Sequence, residues 1–205
     1  MESTIRTLIE SRVSLNYYDP DRPVSEAQIK ELVRLATLAP SAYNLQNWKF
    51  IVVQSAEAKQ RLKTVAYGQQ KVETAPVTFI VCGLLEAHRQ LPLALRPAVD
   101  AGIIAPSVSD AWVAAAARSH DGNPVLQRDE AFRSASLAAM TLILAAEGMG
   151  LGSGSMSGFD PLALSGAFGL SEAEVPVMLI TVGYPAAGNW PQKPRRPAQD
   201  VMQYV

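Results

Sequence analysis

The residues of this chain that could do chemistry are scattered polar groups. Arg12 and Ser14 lie in an early turn-like segment, and Ser41, Asn44 and Gln46 fall between a helix and a strand. Lys71 precedes a strand, while Lys193 and Arg195 lie in the tail. Polar positions separated by most of the chain suit a cofactor gripped by several loops. Each also has a plain reading: Arg12 as a solvated helix end, Asn44 as a turn residue, Lys193 and Arg195 as a solvated tail. Spacing alone favours the plain readings.

Other chemistries fail on motif. The run Gly148-Met149-Gly150-Leu151-Gly152-Ser153-Gly154-Ser155-Met156-Ser157-Gly158 holds no phosphate-loop G-x-x-x-x-G-K-[ST], and serines fall where a dinucleotide fingerprint needs its third glycine. The run also follows a predicted helix, whereas that fingerprint follows a strand. No G-x-S-x-G elbow exists, which removes Ser155 and Ser157 as hydrolase nucleophiles by that route. The single cysteine, Cys82, excludes an intrachain disulfide, a CxxC redox pair and a thiolate metal cluster, and it reads as a core residue of a strand. Two histidines, His88 and His120, leave little for a multi-histidine metal centre and read as surface residues. No metal site is expected.

The elements that must position these groups come from composition and pattern. With 205 residues, 48% hydrophobic and 18% charged, the chain fits one domain over 1–205 with a full core. A net charge of −1 argues against nucleic-acid binding by bulk positive charge. The longest apolar run, around Leu137 to Ala146, is about half the ~20 residues of a membrane span. Met1-Glu2-Ser3-Thr4-Ile5-Arg6 lacks a basic segment followed by an apolar stretch, so a soluble cytoplasmic protein is expected.

Ser25 and Gln28 form a capping box that predicts a helix with Ile29, Leu32, Val33 and Ala36 on one face, ended near Pro40. Phe50-Ile51-Val52-Val53 reads as a strand buried on both faces, a short helix follows over 55–65, and 77–81 is a second buried strand. The stretch 84–123 reads as an excursion from the core, either a cover over a site or a solvated connector. Pro92, Pro97 and Pro106 break its first half, Ser107 with Asp110 could cap a helix over 111–118, and Gly122-Asn123-Pro124 marks a turn. A central helix over 128–147 is apolar nearly all round from Ala135 to Ala146, which demands burial on all sides, within the chain or at a subunit interface. Asp160-Pro161 opens a further helix, and Val177 to Val182 forms the third strong strand. Alternating helices and buried strands give an α/β or α+β class.

Five blocks in order change the balance. Ala39-Pro40-Ser41-Ala42-Tyr43-Asn44-Leu45-Gln46-Asn47-Trp48 resembles the A-P-S-x-x-N-x-Q-x-W stretch of the nitroreductase family of flavoproteins. Ahead of it, Arg12-Val13-Ser14-Leu15-Asn16-Tyr17-Tyr18 resembles that family's R-x-S-x-[RK]-x-[FY] opening. Glu147 to Gly152 is similar to its A-x-G-L-G stretch, Pro176 to Gly183 to its closing strand, and Lys193-Pro194-Arg195-Arg196-Pro197 to its K-x-R-x-P tail. The resemblance covers essentially the whole chain.

It implies an α+β fold, with a central mixed, mainly antiparallel sheet flanked by helices, in an intertwined homodimer. FMN would lie at the subunit interface and NADH or NADPH would be the donor. The implied reaction is ping-pong hydride transfer through flavin N5 to a nitroaromatic, quinone or similar small-molecule acceptor. Arg12 and Ser14, with Lys193 and Arg195, would hold the FMN phosphate, because guanidinium offers paired donors to its oxygens. Ser41, Asn44 and Gln46 would line the site from the other subunit. Lys71 would stabilise negative charge on the reduced ring. Met156, Ser157 and Gly158 would pass N5 with a backbone N–H, and Val13, Asn16, Pro40, Gln69 and Ser155 complete the cofactor-binding set. No protein acid is assigned to the flavin. The 84–123 excursion would cover the opening, with Trp112 either stacking on the acceptor or anchoring packing.

Two residues depart from the family pattern. Asn16 stands where many relatives carry Arg or Lys, and Gly68 where they carry Asn, with Gln69 as a possible substitute. A bound flavin is therefore expected to be harder to reduce here. The rival readings are a reductase of one unsaturated or aldehyde metabolite, a flavin-binding storage or sensor protein without turnover, and a structural dimer with a decayed site.

Overall fold

Val77–Leu84 carries apolar side chains at almost every position, which only a strand covered on both faces can bury. In the computed structural model, which describes residues 5–205, this segment is β2, buried along nearly its whole length. It pairs antiparallel with β1 (Trp48–Val53) on one side and β4 (Glu174–Gly183) on the other. β4 in turn pairs antiparallel with β3 (Gly152–Met156), giving the order β1-β2-β4-β3. Among the described residues the single parallel pairing outside these strands is the bridge Ser14–Ser153. The fold is α+β, an antiparallel sheet flanked by helices.

The alternation of β2 divides the core in two. Val77, Phe79 and Val81 face α2 (Glu26–Ala36) and α7 (Pro124–Gly148), packing with Leu32, Ala139 and Leu142. Ile80 and Cys82 face the other way, towards Leu62 of α3 (Ala56–Val65), Val72 of α4 (Gln70–Thr74) and Leu164 of α8 (Pro161–Phe168). Cys82 is a core residue as expected, and burial pushes its thiol up to about 11. The Ser25–Gln28 capping box forms, and Asp160 caps α8 through the N–H groups of Leu162 and Ala163. A short α1 (Ile5–Ser11) precedes α2. Of the amino-terminal reading, residues 1–4 lie outside those described.

Several expectations need correction. β1 is an edge strand, so Lys49 and Val52 reach solvent and it is not buried on both faces. The first half of 84–123 is helical rather than broken: Pro92 sits in the first turn of α5 (Leu91–Asp100), where no N–H is needed, although Pro97 lies inside the helix. α6 (Pro106–His120) starts with Pro106 after Ala105, so Ser107 and Asp110 do not cap it. Asn123 caps α7 through the N–H of Leu126 at 3.1 Å, and the helix begins at Pro124 rather than 128. Leu137 and Met140 on α7 are 47% and 41% exposed, so the chain alone does not bury this helix on all sides. The second half of the glycine-rich run is β3, entered through Gly150 at φ 70°. Among the described residues no helix is long and apolar enough to cross a membrane.

Candidate functional site

The segment carrying Arg12 and Ser14 has no regular structure of its own and is fixed by the sheet. Leu15 N–H donates to Ser153 O at 2.8 Å, and the buried Tyr18 hydroxyl lies 2.6 Å from Thr181 Oγ1. Thr181 Oγ1 donates onward to Gly154 O at 3.0 Å. Burial drives the Tyr18 phenol far above its ordinary value, so it stays a donor. A Cβ at position 154 would come within 2.5 Å of Leu15 O, so this close approach requires glycine.

The tail is tied to the same segment across most of the sequence. Asn189 Oδ1 accepts from Asn16 N–H at 2.7 Å and from Tyr17 N–H at 3.1 Å, and its Nδ2 donates to Tyr17 O at 2.8 Å. Gln192 Nε2 donates to Arg12 O at 3.0 Å, and its Oε1 accepts from Arg195 at 3.0 Å. These bonds bring Arg12, Val13, Ser14, Lys193 and Arg195 around one cavity of about 140 Å³, closed on one side by Trp190. Trp190 also borders a neighbouring cavity of about 310 Å³ lined by Asn16, Gln69 and Lys71. Lys193 Nζ sits 4.7 Å from the Trp190 ring centroid.

The cations gathered here carry no counter-charge. None of Arg12, Lys71, Lys193 and Arg195 pairs with a carboxylate among the described residues, although many other cations of the chain do. Partial burial lowers the Lys71 pKa, and the nearby positive charge of Lys193 lowers it further. A set of converging cations without counter-charge is an anion-binding arrangement, because a bound anion relieves both effects.

The 155–158 segment leaves β3 beside this region. Gln69 Nε2 donates to Gly158 O at 2.7 Å and to Ala66 O at 3.2 Å. Both amide hydrogens of Gln69 are thus engaged, and its side chain fixes the Gly158 peptide. Ser155 and Ser157 are exposed, and Met156 is buried in the core.

Pro40, Ser41, Asn44 and Gln46 do not line the cationic cavities. They belong to a loop whose backbone is strained: Tyr43, Asn44 and Gln46 adopt φ of 52°, 61° and 50°. Asparagine tolerates this region, but Tyr43 and Gln46 are held there against their preference. Ser41 Oγ accepts from Gln46 N–H at 2.9 Å and helps lock the turn. Beneath it Leu45 packs with Leu91, Leu95 and the partly buried Trp112. A cavity of about 670 Å³ opens here and not at the cations; Gln46, Asn47, Arg89, Leu93 and Glu174 line it.

The histidines are the clearest misplacement by sequence. Both are 4% exposed and their rings stack with centroids 5.3 Å apart, so they are interior residues. Tyr18, Asn189, Trp190 and Gln192 were also missed as parts of the site. For the last three, their position just ahead of Lys193 was the available signal.

A family model described as Nitroreductase family matches residues 9–184. The chain is 34% identical over 176 residues to the provisionally named NAD(P)H nitroreductase YodC of Bacillus subtilis (strain 168), covering 86% of this chain and 87% of that one. It is 33% identical over 198 residues to an NADH dehydrogenase of Thermus thermophilus, covering 93% and 94%. Among solved structures it is similar, at a TM-score of 0.90 and 29% identity, to a provisionally named nitroreductase from Exiguobacterium sibiricum 255-15 in complex with FMN, covering 98% of this chain and 97% of that one.

Proposed function

The chain belongs to the nitroreductase family, and from that premise we propose that it is an FMN-dependent NAD(P)H oxidoreductase acting on nitroaromatic, quinone or similar acceptors. The observation that carries this reading is the cluster of uncompensated cations, Arg12, Lys71, Lys193 and Arg195, gathered at two adjoining cavities from both ends of the chain. These residues fit the group. Arg12, Lys193 and Arg195, with the Ser14 hydroxyl, would hold its phosphate by charge-assisted hydrogen bonds. Lys71 and Asn16 line the neighbouring cavity, where positive charge favours the more negative state of a ring. Gln69 holds the Gly158 carbonyl and so sets the direction of the following backbone. Bound FMN would supply the hydride-transfer chemistry between NAD(P)H and the acceptor, while these residues hold and orient it.

A second copy of the chain completes the reading. The strained loop carrying Ser41, Asn44 and Gln46 stands apart from the cations, so these residues would serve a cofactor held by the partner. Leu137 and Met140 on α7, with Leu38 at 68% exposure, supply apolar surface for that association. The 84–123 excursion would then border the opening.

The test is an absorbance spectrum of the purified protein, followed by anaerobic addition of NADH or NADPH and then a quinone. Flavin bands that bleach with one donor and return with the quinone are expected. Bands that persist through both additions would reduce the protein to a flavin carrier, and none after incubation with FMN would remove the cofactor from the reading.

A further inference from the structure

We propose that Gln69 is a positioning residue for the bound flavin: its amide braces the exit of β3 against the loop leading to Lys71, and so keeps the donors around the ring in place for its reduced state. The inference rests on the FMN reading above and deepens it.

It starts from the departure at position 68. Gly68 has φ 72°, a left-handed conformation that Gly and Asn adopt at least cost, so the turn keeps its backbone whichever of the two stands there. A Cβ at 68 meets nothing within 4 Å, so no packing takes the place of a side chain. The amide of this turn sits one residue later, on Gln69. Its Nε2 lies 2.7 Å from Gly158 O and 3.2 Å from Ala66 O. Both partners are carbonyls, which only accept, so the nitrogen end of the amide must point at them. With both hydrogens used, this amide donates to the protein and not to a ligand.

The two sides of the brace are unequal. On the Gln69 side the backbone is pinned: Gly68 N–H donates to Lys63 O at 3.0 Å and Gln69 N–H to Ala66 O at 3.2 Å. Lys63 Nζ also bonds Glu73 of α4, the helix that carries Lys71, at 2.6 Å. On the other side the chain leaves β3 at Met156 and is next tied to this loop by Asp160 N–H, which donates to Val65 O at 2.9 Å. Between those points the N–H groups of Ser157 and Gly158 find no acceptor among the described residues. The bond to Gly158 O therefore sets how that span is turned. A Cβ at 158 would lie 3.1 Å from Gln69 Nε2, so a side chain there displaces the amide.

Two open backbone donors and the Lys71 ammonium are thus held in a fixed relation, beside the cavity that Asn16, Gln69 and Lys71 line. Donors stabilise developing negative charge best when they need no reorientation. Loss of the brace should loosen the hold on reduced FMN more than on oxidised FMN, whose affinity rests chiefly on the phosphate contacts.

The experiment compares wild type, Gln69→Leu, Gly158→Ala and the double variant. Affinity for oxidised FMN is read by fluorescence titration, and the midpoint potential of the loaded protein by equilibration with a reference dye. The single variants break one bond from opposite sides. Each should weaken reduced FMN about tenfold relative to oxidised FMN, lowering the two-electron midpoint by about 30 mV. The double variant should fall no further than the lower single variant, because one bond is lost once. A wild-type potential in either single variant, or losses that add in the double variant, would overturn the inference and leave the FMN reading standing. Oxidised affinity that falls as far as reduced affinity would do the same, since it marks a merely structural role. A wild type that takes up no FMN would overturn both. Should Gln69→Leu fail to fold, Gly158→Ala decides, because it keeps the Gln69 side chain.

Discussion

Around Arg12 and Lys193 the backbone is relaxed and the side-chain charges are unpaired. Cations from distant parts of the chain gather without counter-charge, and the Lys71 pKa is lowered, first by partial burial and then by the charge of Lys193. Around 41–46 the reverse holds. The side chains make ordinary contacts, while Tyr43, Asn44 and Gln46 are held at positive φ over a packed apolar cluster. One region gathers cations that an anionic ligand would compensate, and the other stores backbone strain that packing maintains. Polar groups needed for affinity can therefore sit on an exposed tail, whereas groups needed for shape are set on a buried support.

The largest expected effect separates the two regions. Arg12→Ala with Lys193→Ala should weaken FMN binding by about a hundredfold or more, from the ~1.5–3 kcal/mol carried by each hydrogen bond to a charged group. The denaturation midpoint should change little, because neither side chain pairs with a carboxylate among the described residues. Flavin fluorescence titration and chemical denaturation measure the two quantities. A drop in stability as large as the drop in affinity would show that these cations hold the fold together.

Gln46→Gly tests the other region. Glycine adopts φ near 50° without the Cβ conflict, so the variant should be more stable by about 1 kcal/mol. A loss of stability in urea denaturation would mean that the Gln46 side chain, and not the conformation, holds the loop.

The smallest effect is on pH dependence. Because the folded pKa of Lys71 lies below its unfolded value, the unfolded chain binds more protons in the alkaline window between the two. Stability of the cofactor-free protein should gain from this group as pH rises through that window, and Lys71→Met should remove the gain. Denaturation midpoints of both proteins across alkaline pH test the sign. A slope that Lys71→Met leaves unchanged would assign the gain to other groups.

Much of the fold was legible because its signals are local. The Ser25–Gln28 box, the apolar run of β2 and the Asp160-Pro161 start each need only a few adjacent residues, and each formed. Edge position is not local. Phe50 to Val53 has the composition of a central strand and became an edge strand because, among the described residues, no further strand lies beyond it. Prolines misled for a related reason: their effect depends on whether they fall in the first turn of a helix, where the missing N–H is harmless.

By itself the sequence determined the family-like blocks, the residue types able to grip an anion, and most of the helices and strands. Those properties are written in spacing and composition. Tertiary structure alone decided that Lys193 and Arg195 meet Arg12, through bonds from Asn189 and Gln192 that span most of the chain. It alone turned two unremarkable histidines into a buried pair of stacked rings. Burial, tautomer and approach depend on what the rest of the chain packs around a residue, and no short window of sequence carries that information.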